Sequence, residues 1–329
     1  MIRLITIDDI IDTFLKGKQR GWDFIISKFT FSNSSRTKSA FNKTSKLSSN
    51  WWIIPSVQER RNLKMTGNPD LNYKQFLMQY ILNDRTNLKL LSLGSGTCQH
   101  EMELAFYDNF EKITCVDLSK ERIDTAIKNA KSKNLNNIEF ICSNIDKFQF
   151  KNNHYDVVLF NSSLHHFKDV ENLLIKNINN CLTDSGLLVI NEYVGPNRLQ
   201  FPKHQIKAIN DALNTIPKKF KKRYNSSVIK ENFYGSGVLR MVIADPSECV
   251  DSANIKPTIH NHFDTIIEKP YGGNILMNVL KDISHHFVDL NDEKQELLMH
   301  LFKFEDDYLD DNASDFLFGV YKKQEMKIN

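Results

Sequence analysis

The 329-residue sequence has no apolar run that approaches the ~20 residues a membrane-spanning helix needs. Its five cysteines are odd in number, and several lie inside or beside predicted strands. We therefore interpret them as reduced thiols and not as a disulfide framework. The sequence also has no large excess of positive or negative charge, because 43 basic and 40 acidic residues leave a formal net charge of +3. That near balance argues against broad binding to a polyanion.

The sequence also shows no pattern typical of a secretory signal peptide and no internal repeat. The first residues, Met1 to Thr13, contain Asp8 and Asp9 where a secretory signal peptide would need an apolar stretch. We therefore expect a cytoplasmic protein with no membrane span. No internal repeat is found, and the length is sufficient for one large domain or two small ones.

Composition divides the chain into four regions. Residues 1–50 contain an amphipathic helical stretch and a flexible connector, and residues 51–87 are mostly helical in pattern. Residues 88–194 and 252–329 hold strand-like runs separated by helix-length segments, which predicts an α/β fold with a parallel sheet. Residues 195–251 interrupt that pattern after the fifth strand. We expect this insertion to lie above the carboxyl edge of the sheet and to cap a substrate pocket.

The most informative segment is a glycine-broken turn after the first strand. Leu93-Gly94-Ser95-Gly96-Thr97-Cys98-Gln99 follows a short apolar run. The glycines permit a tight turn and let a ligand approach the backbone N–H groups. A dinucleotide fingerprint has a third glycine three positions after the second, where this chain has Gln99. The turn therefore favours S-adenosylmethionine, whose amino-acid end needs no phosphate cradle.

A carboxylate follows at the end of the second predicted strand. Asp117 lies about twenty residues after Gly96, where nucleoside-binding sheets place the acid that accepts the ribose hydroxyls. Asn144 follows the third strand, and it either hydrogen-bonds the adenine edge or caps the next turn. The predicted cofactor site is completed by residues of the glycine turn and of the other strand ends: Gly94, Ser95, Gly96, Leu118, Ile145 and Asn161.

In these segments the chain resembles class I S-adenosylmethionine-dependent methyltransferases. The matching stretches are LSLGSGT, TCVDLS, YDVVLFNSSLHHF and LTDSGLLVINEY. The resemblance implies a Rossmann-like, doubly wound sheet of seven strands with the last strand antiparallel, and S-adenosyl-L-methionine as the cofactor. Class members usually carry a third glycine where this chain has Cys98. We expect the small cysteine to be tolerated, in a turn less able to adopt positive φ.

The chain also resembles a narrower bacterial group that is often found beside polysaccharide-assembly proteins. The stretches that carry this resemblance are WWIIPSVQERRN, NEYVGPNRLQF, ADPSECV and KPYGGNILMNVL. Together the matches extend from about Trp51 to Tyr321. The substrates of that group are largely unassigned, so the resemblance indicates a cofactor and a fold but only weakly a second ligand.

Candidate catalytic residues follow the fourth and fifth strands. His165 and His166 lie where a general base would meet an acceptor hydroxyl, although either one alone more often anchors a loop. Glu192 ends the fifth strand and either faces the acceptor or forms a structural pair with Arg198. Four residues are predicted to contact the substrate: Trp52, Tyr193, Arg198 and Tyr271. One of Trp51 and Trp52 is expected to be buried against the sheet.

Additional polar clusters are interpreted as structural. The pairs His260/His262 and His285/His286 have no neighbouring Cys or carboxylate cluster, so no metal site is predicted. The basic run at residues 217–223 is more typical of a solvated helix face than of a site for an anionic glycan, a lipid surface or RNA.

The leading functional prediction is methyl transfer to a small-molecule or saccharide acceptor, on oxygen or nitrogen, by in-line displacement. RNA methylation is a second hypothesis. Base-amino methyltransferases carry an Asn/Asp-Pro-Pro-aromatic motif where this chain has Asn161-Ser162-Ser163-Leu164, so a nucleic-acid partner is not expected. A nicotinamide-dependent oxidoreductase, which Gln99 disfavours, and a noncatalytic S-adenosylmethionine-binding protein are the third and fourth hypotheses. The oligomeric state is left open.

Overall fold

The computed structural model describes residues 2–20 and 49–324, with only the backbone described for residues 16–20. Most of the connector predicted at Phe31–Asn50 therefore lies outside the described residues. A sheet of seven strands forms the centre, in the order β3-β2-β1-β4-β5-β7-β6. The strands are β1 Leu88–Leu93, β2 Phe110–Asp117, β3 Ile138–Cys142, β4 Tyr155–Asn161, β5 Leu182–Tyr193, β6 Phe263–Gly272 and β7 Phe316–Lys323.

Strand direction confirms the predicted α/β class. The pairs β1–β2, β1–β4, β2–β3 and β4–β5 are parallel. β7 runs antiparallel to both of its neighbours, β5 and β6. The structure is therefore a Rossmann-like, doubly wound sheet whose last strand is antiparallel, as the resemblance implied.

Helices cover both faces of this sheet. The α-helices are α1 Ile7–Arg20, α2 Pro55–Thr66, α3 Tyr73–Phe76, α4 Gln99–Leu104, α5 Lys120–Ser132, α6 Val170–Asn172, α7 Asn179–Cys181, α8 Lys203–Asn214, α9 Val238–Ala244, α10 Ile255–His262, α11 Leu276–Leu280 and α12 Asp292–Leu309. Among the described residues, none of the helices combines the length and the apolar character that a membrane crossing requires.

The central strands are almost wholly apolar because both faces of the sheet are buried. Leu90 and Val157 pack into one hydrophobic cluster, whereas the next residues, Leu91 and Val158, pack into the cluster on the opposite face. This alternation follows from the two-residue repeat of a β-strand. Since the parallel strands end at one edge, the residues that follow β1, β2, β3 and β4 are brought together there.

The amino-terminal helix α1 is attached to the insertion by carboxylates. Asp8 accepts hydrogen bonds from the backbone N–H groups of Tyr234 and Gly235, at 2.6 and 3.0 Å. Asp9 lies 2.7 Å from the guanidinium of Arg240. These charged hydrogen bonds bring two regions together that are more than two hundred residues apart in the sequence.

The basic run at residues 217–223 does not form a solvated helix face. Only Lys218–Phe220 form a 3₁₀ turn, and both Lys221 and Arg223 are buried. The guanidinium of Arg223 lies 2.6 Å from Asp282 and 3.6 Å from Asp8. The prediction was wrong because these acidic partners come from distant segments that only the tertiary fold places beside the run.

The KPYGG stretch has a packing explanation. Gly272 and Gly273 have φ values of 89° and 87°, in the left-handed region that favours glycine. A Cβ atom on Gly272 would clash with the carboxylate of Glu305, and one on Gly273 would clash with the ring of Phe316. Glu305 is fully buried and accepts the backbone N–H of Gly273 at 3.0 Å. The two glycines therefore let the chain pass close to a buried carboxylate.

Candidate active site

A cavity of about 630 Å³ opens at the carboxyl edge of the sheet, a volume typical of small-molecule sites. Its walls come from the loops after β1, β2, β3 and β4 and from the insertion, which contributes Pro246 and Ser247. His166 lines the cavity, whereas the remaining catalytic candidates, His165 and Glu192, do not. Five residues predicted to bind the cofactor also line it: Gly94, Asp117, Leu118, Asn144 and Ile145.

The glycine turn after β1 depends on both glycines. Gly94 has a φ of 69°, and a Cβ atom there would lie 2.8 Å from the Cβ of Ser163. Gly96 has a φ of 60°, and its N–H donates to Oδ2 of Asp117 at 2.8 Å. The carboxylate at the end of β2 therefore fixes the turn at the end of β1.

Asp117 has a second backbone partner. Its Oδ1 accepts the N–H of Ser119 at 2.8 Å. Each carboxylate oxygen has two lone pairs, so one backbone hydrogen bond per oxygen leaves acceptor capacity for ribose hydroxyls. Arg122, which sequence reasoning missed, also lines the cavity. Burial lowers the pKa of Arg122, and the charge of Asp117 acts in the opposite direction.

Asn144 has one of the two roles that the sequence left open. Its side chain accepts the N–H of Asp146 at 3.1 Å, so it caps the short 3₁₀ turn Ile145–Lys147. Asn161, at the end of β4, accepts a hydrogen bond from the amide of Asn191 at 2.8 Å. Ser95 lies in the turn and accepts a hydrogen bond from the Cys98 thiol at 3.3 Å.

Cys98 adopts a left-handed backbone conformation, which glycine adopts more readily than other residues. Its φ is 55° and its ψ is 31°, and it directly precedes α4. The side chain is fully buried. An L-residue in this left-handed conformation is strained by about 1–2 kcal/mol, so burial of the thiol and the rest of the turn must offset that strain.

We expect Cys98→Gly to change stability by less than about 1 kcal/mol, because relief of backbone strain offsets the loss of a buried thiol. Cofactor affinity should stay close to that of the wild type. Thermal unfolding and calorimetric titration would measure the two quantities. Cys98→Val is the matched comparison, since its β-branched side chain overpacks the turn and should destabilise by about 1–3 kcal/mol. A strong loss of cofactor affinity in Cys98→Gly would contradict this expectation.

His165 is held by Glu192. Both histidines lie in the 3₁₀ turn after β4, and Nδ1 of His165 lies 2.7 Å from Oε2 of Glu192. Glu192 is fully buried, and its Oε1 accepts the backbone N–H groups of Ser163 and Leu164. Burial acts to lower the pKa of His165, but the charge of Glu192 and the hydrogen bond to it outweigh burial and raise it.

Arg198 does not pair with Glu192. Its guanidinium donates to the backbone carbonyl oxygens of Pro246 and Glu248, at 2.7 and 2.9 Å. The structural Glu192–Arg198 pair considered from the sequence was therefore wrong. Arg198 instead fixes the loop that brings Ser247 and Glu248 to the histidines.

Sequence reasoning missed the polar residues of the ADPSECV stretch. Oγ of Ser247 lies 3.1 Å from Nδ1 of His166 and donates to Oδ1 of Asp245 at 2.6 Å. The Glu248 carboxylate lies 3.9 Å from Nε2 of His166 and 4.0 Å from Nε2 of His165. Burial and the neighbouring His165 lower the pKa of His166 to about 3. The stretch was noticed through the resemblance, but no local pattern links it to the histidines.

The aromatic substrate candidates lie beside the cavity and not on its lining. The rings of Trp52, Tyr193 and Tyr271 pack around Phe316, with centroids 5.7, 5.4 and 5.6 Å from its ring. Trp51 is buried, as expected for one of the two tryptophans. The hydroxyl of Tyr193 donates to the Pro196 carbonyl at 3.1 Å, and that of Tyr271 donates to Asn191 at 2.7 Å. Both hydroxyls are thus used within the protein.

Comparison with known proteins agrees with this fold. A family described as "Methyltransferase domain" matches residues 84–236. The uncharacterized methyltransferase YcgJ of Bacillus subtilis (strain 168) is 24% identical over 132 residues, which cover 36% of this chain and 51% of that protein. The chain thus matches about half the length of this curated relative.

A solved structure shares the overall fold. It is phosphoethanolamine N-methyltransferase 2 of Haemonchus contortus in complex with S-adenosyl-L-methionine, with a TM-score of 0.50 and 13% identity. The similarity covers 90% of this chain and 61% of that one. Residues 84–236 are thus similar to a methyltransferase domain, and the sheet of the whole chain resembles the fold of this solved structure.

Proposed function

We propose that this protein transfers a methyl group from S-adenosylmethionine to a hydroxyl or amino group of a small-molecule or saccharide acceptor. The observation that carries the proposal is the cavity, whose lining includes both Gly94 and Asp117 from the strand ends and His166 from the turn after β4. A cofactor held by the first two residues would lie next to an acceptor held near the third. The resemblance to proteins found beside polysaccharide-assembly genes supports testing saccharides first.

The cavity residues fit this cofactor. Asp117 offers a carboxylate to the ribose, and Leu118 and Ile145 offer apolar surface for an adenine ring. Gly94 has no side chain between its backbone and the cavity, which leaves room for the amino-acid end of the ligand. A carboxylate, an amide and apolar side chains together suit a nucleoside better than a pyrophosphate.

When bound, S-adenosylmethionine supplies a methyl group whose bond to sulfur breaks, with its electron pair left on sulfur, as the bond to the acceptor forms. The protein has to align the acceptor and exclude water, and alignment supplies most of the rate gain in such reactions. Phe148 and Phe167 line the cavity and keep part of it apolar. The chain's contribution is therefore mainly one of positioning.

An acceptor hydroxyl must also lose its proton. Glu192 is fully buried and already binds His165 and two backbone N–H groups, so it acts as a positioning residue. Of His165, His166 and Glu248, only His166 lines the cavity, so its Nε2 is the atom that would take up this proton, with the Glu248 carboxylate 3.9 Å away. An amine acceptor would need only to be unprotonated.

Calorimetric titration tests the cofactor assignment. We expect S-adenosylmethionine and S-adenosylhomocysteine to bind with micromolar affinity and NAD⁺ and NADH to give no binding heat. Release of S-adenosylhomocysteine is then assayed with sets of saccharides, hydroxy acids and amines as acceptors. Binding of the nicotinamide ligands in place of the adenosyl ligands would overturn the proposal. Cofactor binding without turnover on any set would favour a noncatalytic binding protein.

A further inference from the structure

We propose that His165, His166 and Glu248 form a binding site for a divalent transition-metal ion such as Zn²⁺ or Mn²⁺. Within residues 2–20 and 49–324, these three are the one group of metal-ligating side chains whose ligand atoms all lie within 4.8 Å of one another. The sequence did not predict the site, because Glu248 belongs to a loop some eighty residues beyond the histidines.

The His165 ring is oriented as in many metal sites. Its Nδ1 faces the buried Glu192 carboxylate at 2.7 Å and therefore donates its proton to that carboxylate. In the neutral ring, Nε2 then carries the lone pair, and this atom lies 4.0 Å from the Glu248 carboxylate. A carboxylate behind a metal-binding histidine sets the tautomer and raises the basicity of the ligand nitrogen.

The His166 ring also carries its proton on Nδ1, because of a different hydrogen-bond partner. The hydroxyl of Ser247 donates its proton to Asp245, so its oxygen must accept from Nδ1 of His166. Nε2 of His166 is then the nitrogen that carries the lone pair, and it lies 3.9 Å from Glu248. Two separate hydrogen-bond networks thus direct both Nε2 atoms toward one carboxylate.

Three electron-pair donors that face one another favour a cation between them. Ligand atoms on one tetrahedral Zn²⁺ ion, bonded at about 2.1 Å, lie about 3.4 Å apart. The two Nε2 atoms lie 3.9 and 4.0 Å from oxygens of the Glu248 carboxylate, and all ligand atoms lie within 4.8 Å of one another, so each separation would contract by about 1.4 Å or less. The Glu248 side chain is 36% exposed, so it has room to make that adjustment.

Ligand type selects the class of metal. Two imidazole nitrogens and one carboxylate suit Zn²⁺, Mn²⁺ or Fe²⁺ better than Mg²⁺ or Ca²⁺, which prefer all-oxygen sites. Three protein ligands also leave coordination positions open. The carboxylates of Glu192 and Asp245, which orient the two rings, add negative charge around the site.

The role of the metal rests on the proposed function. Because His166 lines the cavity, an ion at this site would contact an acceptor bound there. With the metal bound, these ligand atoms could not also take up a proton, so an acceptor hydroxyl on the ion would ionise at a lower pH and release its proton to solvent. Open coordination positions favour acceptors with two adjacent oxygen atoms, such as the vicinal diol of a sugar or a hydroxy acid.

Metal titration of the full-length protein tests the site directly. After treatment with EDTA, Zn²⁺ is titrated by calorimetry and Mn²⁺ by electron paramagnetic resonance. We expect one site in the wild type and a loss of affinity of at least about tenfold in Glu248→Gln and in His166→Gln. His285→Gln is the matched control, because His285 and His286 form another adjacent pair with ring centroids 4.0 Å apart. That variant should bind metal as the wild type does.

Separate readouts distinguish this inference from the proposed function. Cofactor titration and thermal unfolding are measured in each variant and should match the wild type in Glu248→Gln. Wild-type metal affinity in Glu248→Gln, or no metal binding by the wild type, would overturn the metal site. Methyl transfer at an undiminished rate in EDTA would also overturn its catalytic role, while the proposed function would stand. Metal binding without cofactor binding would overturn the proposed function alone.

Discussion

Glu192→Ala is expected to destabilise the protein by about 3–5 kcal/mol and to remove methyl transfer. The fully buried carboxylate accepts two backbone N–H groups and holds Nδ1 of His165. Alanine leaves these three groups without their acceptor in a site closed to water, which costs more than the loss of an exposed ion pair. Urea unfolding and release of S-adenosylhomocysteine measure the two effects.

Glu192→Gln separates positioning from packing. The amide oxygen can still accept the two backbone N–H groups, so we expect a smaller loss of stability, about 1–2 kcal/mol. The amide cannot supply the negative charge that selects the Nδ1–H tautomer of His165. Methyl transfer should therefore fall by about a hundredfold or more, within the range for a misoriented general base or ligand.

A spectroscopic readout and a control complete the test. The nitrogen NMR shifts of His165 should report one tautomer in the wild type and a mixture in Glu192→Gln, a change that a purely structural role would not produce. Glu171→Gln removes a carboxylate from an exposed position on α6 and should leave both stability and turnover unchanged. Full turnover in Glu192→Gln with an unaltered His165 tautomer would refute the positioning role.

Asp117→Ala is expected to weaken binding of S-adenosylmethionine by at least about thirtyfold, or about 2 kcal/mol. The substitution removes the carboxylate that we propose accepts hydrogen bonds from the ribose hydroxyls. It also removes the acceptor for the N–H groups of Gly96 and Ser119, so the glycine turn loses its support from β2. Calorimetric titration with S-adenosylhomocysteine measures the loss without turnover.

Two further variants sharpen this prediction. Asp117→Asn keeps one side-chain oxygen as an acceptor and should fall between the wild type and Asp117→Ala. Asp124→Ala removes the same charge from an exposed position on α5, where Asp124 pairs with Lys120 at 2.8 Å. It should bind the cofactor as the wild type does. Unchanged affinity in Asp117→Ala would mean that the cofactor lies elsewhere in the cavity.

Local sequence was sufficient for the strands and for the glycine turn. Apolar runs with β-branched residues predicted β1 to β7, and the chain order of strands and helices predicted the parallel part of the sheet. These features depend on residues that are neighbours in the sequence. For the same reason, Gly96 and Asp117 could be assigned to one sheet edge before the hydrogen bond between them was known.

Long-range contacts could not be predicted in the same way. A structural pair between Arg198 and Glu192 was one of two alternatives suggested by their nearness in sequence, yet the Arg198 guanidinium binds carbonyl groups about fifty residues farther along the chain. The predicted solvated helix at residues 217–223 failed because Arg223 meets carboxylates from α1 and from the segment after α11. In both cases the charged group binds a partner that is distant in the sequence, and the spacing of apolar and polar residues does not reveal such a partner.

The sequence by itself determined the fold class, the glycine turn and the strand-end carboxylate. Each of these follows from backbone geometry and side-chain patterning over a few neighbouring residues. Only the tertiary structure decided what surrounds His165 and His166. Glu192 belongs to β5 and Glu248 to the insertion, and no local sequence pattern predicts that their carboxylates lie beside the two histidines. A buried carboxylate and a histidine interact strongly when they are close together and shielded from water. Both conditions are set by how the insertion and β5 pack against the loop after β4.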